Sequence, residues 1–235
     1  MILTEQKPFS EILEMLKGAE KIAVIGCGGC ASITRTGSER QVNEIAEKLK
    51  EAGKEIKYKF VLDSGVCYTS ESKKIIEKII EKPDDSDAVL VLSCGSGVQS
   101  VSEIGNELKF NFDVFPALNS KHEGIGPIKG VIYEKCIGCG ECILHLTGGI
   151  CPVALCPKNK VNGPCGDEID GKCKATPEAG DCIWAVIYKK LKEKDRVELL
   201  DKLYDSEGKD WSKERLSKID LMEKQRNRKR KYPPV

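Results

Sequence analysis

The chain has little of what most enzyme sites are made from. Two histidines in 235 residues, His122 and His145, furnish no imidazole ligand set, and each reads as a surface group or a neighbour of a ligand. Nucleophile elbow, Walker loop and paired-carboxylate patterns are missing, so no catalytic residue is nominated and bond-making chemistry by this chain alone is not expected. No apolar run approaches the roughly 18–20 residues that span a bilayer. Residues 1–8, Met-Ile-Leu-Thr-Glu-Gln-Lys-Pro, lack the basic-then-apolar order of a secretory signal, and the chain reads as cytoplasmic. Net charge is also lacking: 38 basic and 37 acidic residues leave +1, which removes a whole-chain electrostatic case for nucleic acid. The balance is uneven, since residues 212–235 hold nine Lys/Arg against three Asp/Glu, or +6, leaving −5 elsewhere. The tail at 226–231 reads as a solvated charged face, with a basic strip for an acidic partner as the sharper alternative.

Cysteine is what the chain has in plenty, with twelve. Disulfide frameworks belong to short exported chains, and this one shows neither trait. In a reducing compartment, clustered cysteines serve metal ligation or redox chemistry. Apolar residues at 40% and charged residues at 32% are enough for a packed core.

Four cysteines are spread over the first hundred residues and eight crowd between 136 and 182, which puts a boundary near 119–135. The stretch 119–130, rich in Gly and aperiodic, reads as a connector. Before it, helix and strand alternate. Phe9, Ile12, Leu13 and Leu16 make a helical stripe ended by Gly18, and residues 21–25 make a buried strand. Ser38 with Gln41 makes a capping box for a helix carrying Val42, Ile45, Ala46 and Leu49. Strands follow at 56–62, 88–92 and around 113–118, with helices through Ile75–Ile80 and Val98–Leu108 between them. The expected class is α/β: a parallel sheet with helices on both faces, Rossmann- or flavodoxin-like. Three units follow: an α/β domain at 1–120, a cysteine-rich, metal-stapled domain at 121–182, and a helical extension with a basic tail at 183–235, helical at Ile183–Leu191 and again at Val197–Leu203.

Cys27 and Cys30 fall just after the first predicted strand, Cys67 after the second and Cys94 after the third. Loops at the carboxyl ends of parallel strands converge on one edge, so four thiols from distant positions should surround one spot. Gly28, Gly29, Gly95 and Gly97 beside them would let backbone N–H groups approach a bound anionic cluster. One [4Fe–4S] cluster is the preferred ligand. The competing readings are four buried core cysteines, and a nucleotide site, because residues 26–31 formally match G-x-G-x-x-A. The acidic residue that such a fingerprint needs about twenty positions on is absent; Asp63 comes 37 residues after Gly26.

Cys136-Ile-Gly-Cys139-Gly-Glu-Cys142 has the C-x₂-C-x₂-C spacing that holds three corners of a cubane in bacterial ferredoxins. A ferredoxin would place Cys-Pro three residues on; here Cys151-Pro152 comes after eight. Cys151, Cys156, Cys165, Cys173 and Cys182 follow at wide spacing. Eight thiols suit two four-ligand centres. One division gives Cys136, Cys139, Cys142 and Cys182 to one and Cys151, Cys156, Cys165 and Cys173 to the other. Structural zinc competes, most of all for the 151–182 set.

The triple-cysteine loop, Leu146-Thr-Gly-Gly-Ile-Cys-Pro152, Asn162-Gly-Pro-Cys-Gly166, Gly171-Lys-Cys173, Cys182-Ile-Trp184 with Tyr188, and Lys209-Asp-Trp-Ser212 together resemble the C-terminal-domain family of methylenetetrahydrofolate reductases. With the upstream cysteine loops, the chain resembles its stand-alone small-subunit (MetV) type, found in anaerobes. That resemblance implies one [4Fe–4S] cluster in the N-terminal domain and one or two in the C-terminal domain, partly replaced by zinc in one version. It implies two partners, a flavin-bearing catalytic subunit that reduces 5,10-methylenetetrahydrofolate and an electron-donor protein, with neither nucleic acid nor membrane. The alternative is a zinc-binding adaptor that stabilises the flavoprotein and carries no electrons.

Overall fold

The computed structural model describes residues 1–80, 86–126, 130–139, 142–176 and 180–201. In chain order the elements are β1 (Ile2–Gln6), α1 (Phe9–Met15), β2 (Lys21–Cys27), α2 (Cys30–Ile33), α3 (Glu39–Glu51), β3 (Glu55–Leu62), α4 (Thr69–Ile79), β4 (Ala88–Leu92), α5 (Gly95–Glu107), β5 (Asp113–Pro116), β6 (Leu118–Gly124), β7 (Glu134–Cys136), α6 (Pro152–Leu155), β8 (Glu168–Ile169), β9 (Lys172–Cys173) and α7 (Ile183–Lys192), then a 3₁₀ turn at Val197–Asp201.

The expected α/β class holds. Four parallel strands lie in the order β3-β2-β4-β5. The two continuous apolar runs take the middle: Ile22 to Ile25 and Ala88 to Leu92 are all buried, as strands covered on both faces must be. α1 joins α3 on one face, where Lys48 reaches over the Phe9 ring and Lys54 Nζ donates to the Leu16 and Ala19 carbonyls. α4 and α5 pack together; right-handed crossovers place them on the other face. Gly18 (φ +90°) and Gly53 (φ +85°) end α1 and α3 in a backbone conformation that side chains disfavour.

Three features depart from the sequence reading. Residues 119–124, read as the start of a connector, belong to β6, which pairs antiparallel with β1 on one side and β7 on the other. The Ser38–Gln41 pair is not a capping box, because Ser38 Oγ donates to Gln41 Oε1 at 2.5 Å and caps no backbone N–H. The helix expected through Val197–Leu203 is a 3₁₀ turn as far as Asp201; Leu203, the 209–212 motif and the basic tail lie outside the described residues. No helix among the described residues is long and apolar enough to cross a membrane.

Candidate metal centre

The strand order creates the site. From β2 the chain steps outward to β3, then returns across β2 to β4, so the order reverses between β2 and β4. Loops leaving the carboxyl ends on either side of such a reversal splay apart and open a crevice. Cys27 closes β2 and Cys30 opens α2; Cys94 is the N-cap of α5, directly after β4; Cys67 lies between β3 and α4.

Backbone contacts bring the three loops together. A side-chain carbon on Gly29 would stand 3.4 Å from the Gly65 α-carbon and 3.6 Å from Cys27 Sγ, so the loops after β2 and β3 touch. One on Gly97 would collide with Ser93 Oγ and meet Val66 Cβ at 3.1 Å, so the loop before Cys67 rests on the first turn of α5. Burial pushes the Cys67 thiol up although the residue reaches solvent, and the neighbouring Cys94, Cys27 and Cys30 push it further the same way. Cys67 is thus near enough to each of the other three predicted thiols to feel them.

The glycines divide. Gly28 and Gly97 are demanded by protein packing, since a Cβ on Gly28 would meet the Asp63 carbonyl oxygen at 2.6 Å. Gly29 and Gly95 would meet their neighbours only at ordinary contact distance: the nearest atom to a Cβ on Gly95 is Ser120 Oγ at 3.9 Å. The formal dinucleotide fingerprint loses its physical basis here. Gly26 is fixed by Val42 and the Gly37 carbonyl at 2.5 and 2.6 Å, and Gly28 by Asp63, with no approach to a pyrophosphate needed to explain either.

The second group of thiols is held by short elements. Cys136 ends β7 and is exposed; the Gly138 N–H (φ +64°) donates to its sulfur at 3.3 Å, the kind of bond that stabilises a metal-bound thiolate. Cys139 and Cys142 follow in the same loop. Cys151 and Cys156 cap the two ends of α6, which packs on β7 and α7. Cys165 sits before the β8–β9 hairpin, its thiol 3.6 Å from Asp167 Oδ2, and Asp167 pairs with Lys158. Cys173 in β9 lies opposite Glu168, and Cys182 is the N-cap of α7. Cys173 and Cys182 share an apolar cluster with Trp184, Ile187 and Leu191. Cys173 and Cys182 thus belong to one apolar cluster, and α6 lies against the strand bearing Cys136.

Trp184 anchors this segment. Its ring lies against Gly163, and its Nε1–H donates to the Lys160 carbonyl at 3.1 Å. The donor chemistry at both nests is thiol throughout, which suits iron–sulfur or zinc and disfavours hard cations. No disulfide links the described cysteines. Among the described residues, no three His, Cys, Asp or Glu side chains are gathered tightly enough to hold a single ion. Sequence reasoning missed the hydroxyls of Thr4 and Ser120 beside the first nest, for they lie in polar strands without an apolar signature.

Residues 115–212 match the family described as methylene-tetrahydrofolate reductase C terminal. The match spans the second cysteine group and leaves the first outside. No curated protein and no solved structure matches the chain.

Proposed function

We propose, with the reductase C-terminal match as premise, that this chain is the iron–sulfur electron-transfer subunit of a methylenetetrahydrofolate reductase complex. It relays electrons from a donor (ferredoxin, an NADH-linked protein or a heterodisulfide-reductase-like partner) to the flavin of a separate catalytic subunit. What supports this reading is that the three loops bearing Cys27, Cys30, Cys67 and Cys94 come together at the one edge where the strand order reverses, which would make a four-thiol nest. Such a nest has no use in a zinc-stapled adaptor whose metal only replaces a missing core, because this domain already has a full apolar core.

Bound clusters would supply reversible one-electron carriage. The chain's own part is to hold and tune them. Cys27, Cys30, Cys67 and Cys94 would ligate the first; Cys136, Cys139 and Cys142 three corners of a second; Cys151, Cys156, Cys165, Cys173 and Cys182 complete the remaining ligation. Backbone N–H groups such as that of Gly138 stabilise thiolate charge and thereby raise the reduction potential.

Anoxically prepared protein should be brown and carry about four or eight iron and as many acid-labile sulfides per chain, bleaching on reduction. A colourless, zinc-replete preparation refutes the proposal. So does a Cys139→Ser complex that stays assembled and turns over fully with the physiological donor, which is the behaviour of an adaptor.

A further inference from the structure

β1 and β6 meet at a rung in which Thr4 faces Ser120, and each hydroxyl of that rung holds a different cysteine loop. Ser120 Oγ accepts the N–H of Gly95, the residue after Cys94, at 3.0 Å. Thr4 is buried; its Oγ1 lies 2.6 Å from Thr36 Oγ1 and 3.1 Å from Thr34 Oγ1. Thr34 directs its proton at the Cys30 and Ala31 carbonyls (3.1 and 3.2 Å) and Thr36 at that of Ala31 (3.1 Å). With both of those protons committed, the single proton of Thr4 goes to the nearer hydroxyl, that of Thr36. One rung therefore grips the Cys30 side and the Cys94 side of the first nest, across the reversal point. Three residues further along β6, about 10 Å at strand rise, Glu123 pairs with Cys136.

We infer that Thr4 and Ser120 are positioning residues of the first thiol nest, and that β6 fixes this nest relative to the triple-cysteine loop. The inference rests on the reading of both nests as ligand sites. The Gly95 N–H is among the donors that the start of α5 leaves without an intrahelical partner. A hydroxyl on a separate sheet gives it a fixed direction, and Cys94 with it. The same strand runs on to Cys136, so a shift of one ligand loop is transmitted as a shift of the other through hydrogen-bonded backbone.

The test is hydrogen–deuterium exchange on the full-length, anoxically prepared chain, read at Gly95, in wild type, Ser120→Ala and Ser120→Thr. Ser120→Ala should speed exchange at Gly95 about three- to tenfold, the worth of one ordinary hydrogen bond, and Ser120→Thr should stay within about twofold of wild type. The visible circular dichroism of the loaded protein should shift in the alanine variant and return in the threonine one. Thr4→Val should speed exchange at Thr34 and Thr36 while sparing Gly95, and it decides the matter if Ser120→Ala does not fold. Unchanged Gly95 exchange in Ser120→Ala, equal acceleration in Ser120→Thr, or unchanged Thr34 and Thr36 exchange in Thr4→Val overturns the inference. Wild-type protein free of iron would instead overturn the electron-transfer reading, with the exchange result at Gly95 standing on its own.

Discussion

Gly163→Ala tests what holds the cysteine-rich segment in shape. The added carbon would come 2.5 Å from Cγ and 2.8 Å from Nε1 of Trp184, where ordinary contact is about 3.5–4.0 Å. The indole, only 5% exposed, must move by roughly an ångström or leave its seat. A shift that keeps the ring inside costs about 1–3 kcal/mol, as overpacked cores do. Full ejection forfeits roughly 150–250 Å² of buried surface, about 4–6 kcal/mol, together with the bond to the Lys160 carbonyl. A loss of about 3 kcal/mol is expected, large for a segment whose apolar cluster is small. Gly166→Ala is the matched control, because nothing lies within 4 Å of a carbon added there. Urea unfolding followed by tryptophan fluorescence should separate the two variants clearly, and iron or zinc retained by the second nest should fall only in Gly163→Ala. Coincident unfolding curves would refute Trp184 as the anchor.

Three further outcomes follow from the same structure. Cys94→Ser should empty the first nest and spare the second, since their ligands come from different segments; spectra losing both centres would contradict that separation. Asp87 Oδ2 accepts the Lys21 and Glu20 N–H groups at 2.8 and 2.9 Å, and these bonds, that from Lys21 foremost, hold its carboxyl below the usual carboxylate range. Asp87→Ala should therefore cost no more than about 0.5–1 kcal/mol at neutral pH, because solvent screens so exposed a carboxylate. Because the folded value is the lower one, that contribution is complete above the unfolded value of about 3.9 and fades as pH falls through the folded one. Denaturant midpoints that differ as much at pH 2 as at pH 7 would sink the assignment. Gly26→Ala, whose new carbon would meet Val42 and the Gly37 carbonyl at 2.5 and 2.6 Å, should destabilise the α/β domain by about 1–3 kcal/mol, read from its thermal midpoint; an unchanged midpoint would show that α3 can back away.

The parallel sheet was legible because covered strands must be apolar on both faces, and Ile22–Ile25 and Ala88–Leu92 are unbroken runs of that kind. The placing of Cys27, Cys30, Cys67 and Cys94 in loops at one edge of the sheet followed from strand polarity alone. What could not be read was the order β3-β2-β4-β5, which depends on packing between distant segments and sets the crevice between β2 and β4. β6 escaped notice because Leu118-Asn-Ser-Lys-His-Glu-Gly124 buries only its two ends, leaving no alternation to detect. α2 is a single turn of four residues, too short for a periodic signal. The segment of the second nest has hardly any regular structure, so spacing nominates ligands and says nothing about how they group.

The rung between Thr4 and Ser120 also has a meaning in time. Its two halves are separated by more than a hundred positions, so β1 cannot pair with β6 until residues 118–124 have been synthesised, after all four thiols of the first nest are already in the chain. Closing so long a loop is among the costlier entropic steps in the fold. During biosynthesis the crevice is therefore complete in composition while its latch is still open, and the latch shuts only when the earliest strand meets one of the late ones.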